Sequence, residues 1–174
     1  MNIFALDENA ASAAMAHCDA HVVKMILETT QILSTVCSKT HDTRDWHYVP
    51  THKNHPCVKW AGESLYNYCW LVDLGLSLCK EYTFRYEKTH ACHWRLQRFA
   101  TLGLPSLSMN PLSPWALAMP DNIRSRFTPD FAGSVQAYRA YYETKRDTMP
   151  RFKYTKRPPP PWLPEKSAPL LVSA

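Results

Sequence analysis

Glycine is scarce. The 174-residue chain holds four, Gly62, Gly75, Gly103 and Gly133, and no two lie within ten residues of each other. That excludes a G-x-G-x-x-G dinucleotide fingerprint and a G-x-x-x-x-G-K-[ST] phosphate loop, since both need clustered glycines to bring backbone N–H groups onto phosphates. Any phosphate chemistry must rest on side chains or helix N-termini. Long apolar runs are missing too. None approaches the ~18 residues of a membrane span. No basic start leads into an apolar core, so no secretion signal is read and the expected location is cytoplasmic. No C-x-x-C pair occurs among Cys18, Cys37, Cys57, Cys69, Cys79 and Cys92. They read as small buried hydrophobes. Without a G-x-S-x-G elbow or a Cys/His signature, nucleophilic hydrolysis has no support.

What is present suits a folded domain: 45% apolar and 12% aromatic residues. Such a chain is long enough to bury a core. The net charge of +5 is uneven. Residues 1–100 carry ten Lys/Arg against ten Asp/Glu, and residues 101–174 carry ten against five. The excess therefore sits in the last third, as either a polyanion contact or a solvated tail.

Apolar spacing predicts a mainly α-helical single domain. Met15, Cys18, Val22, Met25, Thr29, Ile32 and Val36 form one stripe, which predicts a helix over 10–37. Residues 38–55 read as a loop. Pro56 suits the first turn of a second helix over 56–86, bent near Gly75. Further helices are expected over 90–102, briefly around Trp115, and over 130–148. Met1–Leu6 reads as an edge strand or a buried arm. The helical domain is expected to span 1–148. A basic, proline-rich extended tail should follow over 149–174.

Three groups of residues could carry chemistry. His17, His21, Lys24 and Glu28 follow helical steps beside the apolar stripe. They form either a solvated face or the floor of a cleft. Two histidines at i and i+4 also match a metal-ligand spacing, though no H-E-x-x-H surrounds them. His52, Lys53, Asn54, His55 and Lys59 crowd the start of the second helix. An anion is welcome there, unless Asn54 and His55 only cap the helix. Asn67 shares a face with Trp60, Trp70 and Leu74, so it should point inward and be hydrogen-bonded.

Taken together, these motifs resemble a known family. They are Met1-Asn2-Ile3-Phe4, Cys18-Asp19, His21-Val22-Val23-Lys24-Met25 with Glu28, Thr51-His52, Asn54-His55-Pro56-Cys57 with Trp60, and Glu63-Ser64. Asn67-Tyr68, Trp70-Leu71, Glu81-Tyr82, Arg85-Tyr86, Lys88, His90, Ala118-Met119-Pro120 and 137–142 continue the pattern. The chain resembles small, mostly phage-encoded proteins of thymidine hypermodification, described as amino acid:DNA transferases or α-glutamyl/putrescinyl-thymine pyrophosphorylases. The likeness runs to about Tyr142. Two positions depart from it: Ala20 stands where the family has Lys, and Glu87 where it has Gly.

The resemblance implies an enzyme of the host cytoplasm acting on double-stranded DNA that carries a modified pyrimidine. The amine of an amino acid or polyamine would displace pyrophosphate from 5-pyrophosphoryloxymethyl-uracil. No cofactor or metal is expected. His21, Asp19 and Glu28 are then candidates for the general base, with His21 preferred because histidine titrates near neutral pH. Lys24, His52, Asn54, His55, Lys59, Arg85 and Lys88 could hold pyrophosphate. Trp60, Asn67 and Trp70 could cradle the base. Arg139, Lys145, Arg146, Arg151, Lys153, Lys156 and Arg157 could track DNA phosphates. Two alternatives stand beside this reading. One is a non-catalytic helical DNA-binding or repair module recognising a modified base. The other is a metal-dependent enzyme using His17 and His21 with His52, His55 or Cys57.

Overall fold

The computed structural model describes residues 1–39, 45–102, 104 and 106–163. The predicted 38–55 loop and the tail therefore lie partly outside the described residues. Among these, seven helices and no strand are found: α1 (Ala10–Met15), α2 (Asp19–Cys37), α3 (Pro56–Ala61), α4 (Leu65–Tyr86), α5 (His93–Thr101), α6 (Asp121–Arg124) and α7 (Phe131–Thr148). The predicted helical class holds. No helix is long and apolar enough to cross a membrane.

The predicted first helix is two helices. Cys18 is extended and caps α2. Its N–H donates to the Tyr142 hydroxyl at 2.8 Å, and the Asp19 N–H donates to the Lys153 carbonyl at 2.9 Å. Partners more than 120 residues away thus satisfy donors that a continuing helix would have used. The predicted second helix is also two, broken at Gly62–Ser64 rather than bent at Gly75. Ser64 caps α4 by accepting from the Asn67 N–H at 3.1 Å. Gly75 instead lets α4 press against its neighbours. A Cβ there would meet Leu96 Cδ2 at 2.7 Å and Thr29 Cγ2 at 2.9 Å. No helix forms around Trp115; the short helix lies at α6. Asp130 caps α7, its carboxylate accepting from the Gly133 N–H.

The N-terminal segment is an arm, not a strand. Ile3, Phe4, Ala5 and Leu6 are buried in the core, and full burial of side chains such as Ile and Phe contributes ~1.5–3 kcal/mol each. A second core region joins Trp60, Trp70 and Trp115, with ring centroids 5.9 and 4.9 Å apart along the chain of contacts. Asn67 lies under it. Its Nδ2 donates to the Trp60 carbonyl at 2.8 Å and the Ser113 hydroxyl at 2.9 Å, and its Oδ1 accepts from the Ser113 N–H at 3.0 Å. The inward, bonded Asn67 expected from the sequence is what forms. Five of the six cysteines are buried and no disulfide forms among the described residues. Met15, expected in the apolar stripe, is exposed.

Candidate functional site

A cleft of about 350 Å³ opens between the N-terminal arm, the first half of α2 and the end of α7. Of the His17, His21, Lys24 and Glu28 stripe, the last three line its floor, and His17 lies buried outside it. Glu28 is the central group. Its Oε2 accepts from the Asn2 N–H at 2.7 Å, and its Oε1 pairs with Lys24 Nζ at 3.2 Å. The carboxylate side chain is only 13% exposed, whereas Lys24 is 66% exposed and can swing away. Lys145 reaches the cleft from α7, with its ammonium 4.4 Å from the Tyr141 ring centroid.

Asn2 is held from all sides. Its Nδ2 donates to the Ala118 carbonyl at 2.9 Å, and its Oδ1 accepts from the Ile3 N–H at 2.8 Å and from the Cys57 thiol. Burial pushes that thiol up to about 12, so Cys57 is a protonated donor and not a thiolate ligand. Beside Asn2, Phe4 stacks on His21 with centroids 4.8 Å apart and planes at 20°. Phe4 also stacks on Tyr141 at 5.8 Å. The cleft therefore has flat aromatic surfaces next to a carboxylate and two lysines.

His21 does not titrate near neutral pH. Burial, reinforced by His17, Lys24 and Lys145, lowers its pKa to about 3. It is a neutral ring in the cleft wall and a weak base, which leaves Glu28 as the carboxylate of the cleft. His17 is fully buried; its Nδ1–H donates to the Ala13 carbonyl at 2.6 Å, and burial lowers its pKa to about 4. His17 and His21 meet no third ligand: no group of three or more His, Cys, Asp or Glu able to hold a metal ion occurs among the described residues.

Asp19 and Arg85 lie outside the cleft, in a buried ion network. Arg85 donates from Nη1 to Asp19 Oδ1 at 2.9 Å and from Nε to Glu81 Oε1 at 2.8 Å. Thr155 donates to Asp19 from both its N–H and its hydroxyl, and Arg157 donates to Glu81. Burial pushes the Asp19 pKa up, but the Thr155 bonds and the Arg85 guanidinium outweigh it and hold the carboxyl below its usual range. Asp19 thus has its acceptors occupied, and Arg85 its charge matched; neither lines the cleft.

The other expected site residues scatter. His55 caps α3 with its own ring, Nδ1 accepting from the Cys57 N–H at 3.2 Å. Of the two residues expected as caps, Asn54 and His55, His55 is the one that caps α3. His52, Lys53, Asn54 and Lys59 are exposed around it, and Lys88 is exposed beyond α4. Trp60, Asn67 and Trp70 are buried away from the cleft, which removes them as a base cradle. Arg139 donates to the Leu6 carbonyl at 2.8 Å and pairs with Asp7. Lys156 pairs with Glu87 and Arg146 with Asp147. Arg151 and Lys153 are exposed. The sequence reading missed Phe4, Tyr141 and the role of the Asn2 N–H. Only the apolar opening Ile3-Phe4 hinted that the arm is buried.

Residues 1–93 match a family model described as pyrimidine dimer DNA glycosylase. They include the arm and all of α2, hence two of the three cleft walls. No curated protein and no solved structure matches the chain. The match spans more than half of the sequence. It agrees with the DNA-acting character implied by the resemblance to hypermodification proteins, but it does not extend to their transferase activity. The chain belongs to the pyrimidine dimer DNA glycosylase family.

Proposed function

We propose that this chain acts on a pyrimidine nucleotide of DNA, drawn out of the duplex into the arm–α2–α7 cleft, and cleaves its N-glycosidic bond. The observation that carries this reading is the Glu28 carboxylate, held between the Asn2 N–H and a displaceable Lys24. A base in the stack is out of reach of such a cleft, so it must be extruded. Lys24 then turns to a DNA phosphate and frees Oε1. The freed carboxylate takes a proton from the attacking water and stabilises positive charge developing at C1′. The bond from C1′ to the base nitrogen breaks, and its electron pair leaves with the base. Tyr141, half-buried in the cleft wall and backed by Phe4, offers its ring to the extruded base.

The test is Glu28→Gln on duplex DNA containing pyrimidine dimers, with abasic sites scored by alkaline cleavage. The expected loss is about 10²–10⁴-fold, the usual span for a positioned acid–base group. An active Glu28→Gln variant defeats the assignment.

A second reading is favoured by Lys24 and Lys145, which approach the cleft from two different helices. Two cations suit a departing pyrophosphate. In this reading an amino acid or polyamine attacks the 5-methylene carbon of a pyrophosphorylated hydroxymethyluracil, and Glu28 takes the amine proton. The resemblance to the hypermodification transferases continues through Tyr142 into α7, the third cleft wall. Incubating the protein with such DNA and mixed amino acids, then weighing the released nucleosides, separates the readings. A free base with an abasic site supports glycosidic cleavage; an amino-acid or polyamine adduct supports transfer.

A further inference from the structure

We propose that the outer face of α5 is a second DNA contact. Arg95 and Arg98 take backbone phosphates there, and Trp94 stacks on an unstacked base within the same turn of the duplex. This rests on the reading of the chain as a DNA base-acting enzyme.

Residues 88–120 contain Lys88, Arg95 and Arg98 and no Asp or Glu. Trp94 is 43% exposed on that stretch. The Arg95 guanidinium lies 4.4 Å and that of Arg98 5.7 Å from its ring centroid. Arg95 also lies 4.8 Å from the Tyr48 ring, and Arg98 5.6 Å from the Trp46 ring. Aromatic faces, not carboxylates, hold these two cations. They differ in this from Arg139, Lys156 and Arg157, each of which meets an acid of the chain itself. A stacked guanidinium keeps its N–H edge open and offers a two-pronged donor that fits a phosphate. Arg95 gives its Nε–H to the Trp46 carbonyl at 2.8 Å, which fixes the fork in place. An exposed indole beside bound cations suits a nucleobase, because every base has a face to stack.

The patch is near the cleft. The segment from Trp46 to His55, whose ring feels the Glu28 charge, is ten residues long, and its nine steps span at most ~32 Å. That is within about one 34 Å turn of duplex.

The experiment measures binding by the full chain to two labelled duplexes between 50 and 200 mM salt. One duplex is fully paired and the other carries a single abasic site. In Arg95→Gln/Arg98→Gln, the slope of log Kd against log salt should shrink by about 1.8, the loss of two phosphate contacts. Exposed Arg98→Gln alone should shrink it by about 0.9, and it tests the contact even if the double variant fails to fold. Trp94→Ala should weaken binding to the abasic duplex about tenfold more than to the paired one, and Trp94→Phe should restore the difference. Wild-type slopes in both arginine variants, or a Trp94→Ala effect equal on both duplexes, overturns the proposal. A wild-type chain that binds neither duplex instead overturns the base-acting reading, and this contact with it.

Discussion

Glu87 ends α4 with φ at 56°, in the left-handed region. There a Cβ crowds the backbone and glycine carries no penalty. Here the strained carboxylate is held by Lys156 at 2.6 Å, an exposed pair of small worth. Glu87→Gly should therefore raise the melting temperature by about 2–4 °C. Differential scanning calorimetry checks it. His17 and His21 make a second prediction. Both are buried neutral, with pKa values lowered to about 4 and about 3, whereas in the unfolded chain each titrates near 6.5. Between those values the unfolded state binds more protons. Their contribution is thus fully present above about pH 6.5 and is lost as pH falls towards 4 and then 3. Urea midpoints should drop steadily over that window, and His17→Leu should flatten the dependence.

At the level of elements, the helical class was legible because apolar residues repeat at three and four. The breaks were not equally legible. No glycine or proline marks 16–18; the break is made by Tyr142 and Lys153, whose proximity no local pattern reveals. The break at Gly62–Ser64 did carry a signal, Ser64 three residues before Asn67, but the helical spacing of apolar residues on either side of it reads as continuous. One cleft wall could be read from the α2 stripe. The facing arm and α7 could not, since their pairing is tertiary. Replacing Asn67 with Leu keeps its branched outline but strands the Trp60 carbonyl and the Ser113 N–H, and should cost about 2–3 kcal/mol. At the start of α7, a Cβ on Gly133 would collide with the Thr128 carbonyl oxygen, a backbone atom with little freedom to yield. Gly133→Ala should disrupt the Asp130 cap and lower stability by about 1–3 kcal/mol. Chemical denaturation measures both.

Across the whole molecule, the described part of the tail is built into the body. Through Thr155 and Arg157 it completes the network of Asp19, Arg85 and Glu81 that ties α2 to α4. Removing one member leaves a buried charge unmatched, so Asp19→Asn should destabilise by about 3–5 kcal/mol. It should leave the rate per folded molecule intact, which separates a structural carboxylate from the proposed Glu28. The arm has a wider consequence. Asn2 needs Ala118, Leu6 needs Arg139 and Asp19 needs Thr155, so the first twenty residues wait for partners more than a hundred positions downstream. On the ribosome, the cleft can close only after α7 has left the exit tunnel. Until then the apolar arm has its α2 contacts but lacks its partners Ala118 and Arg139.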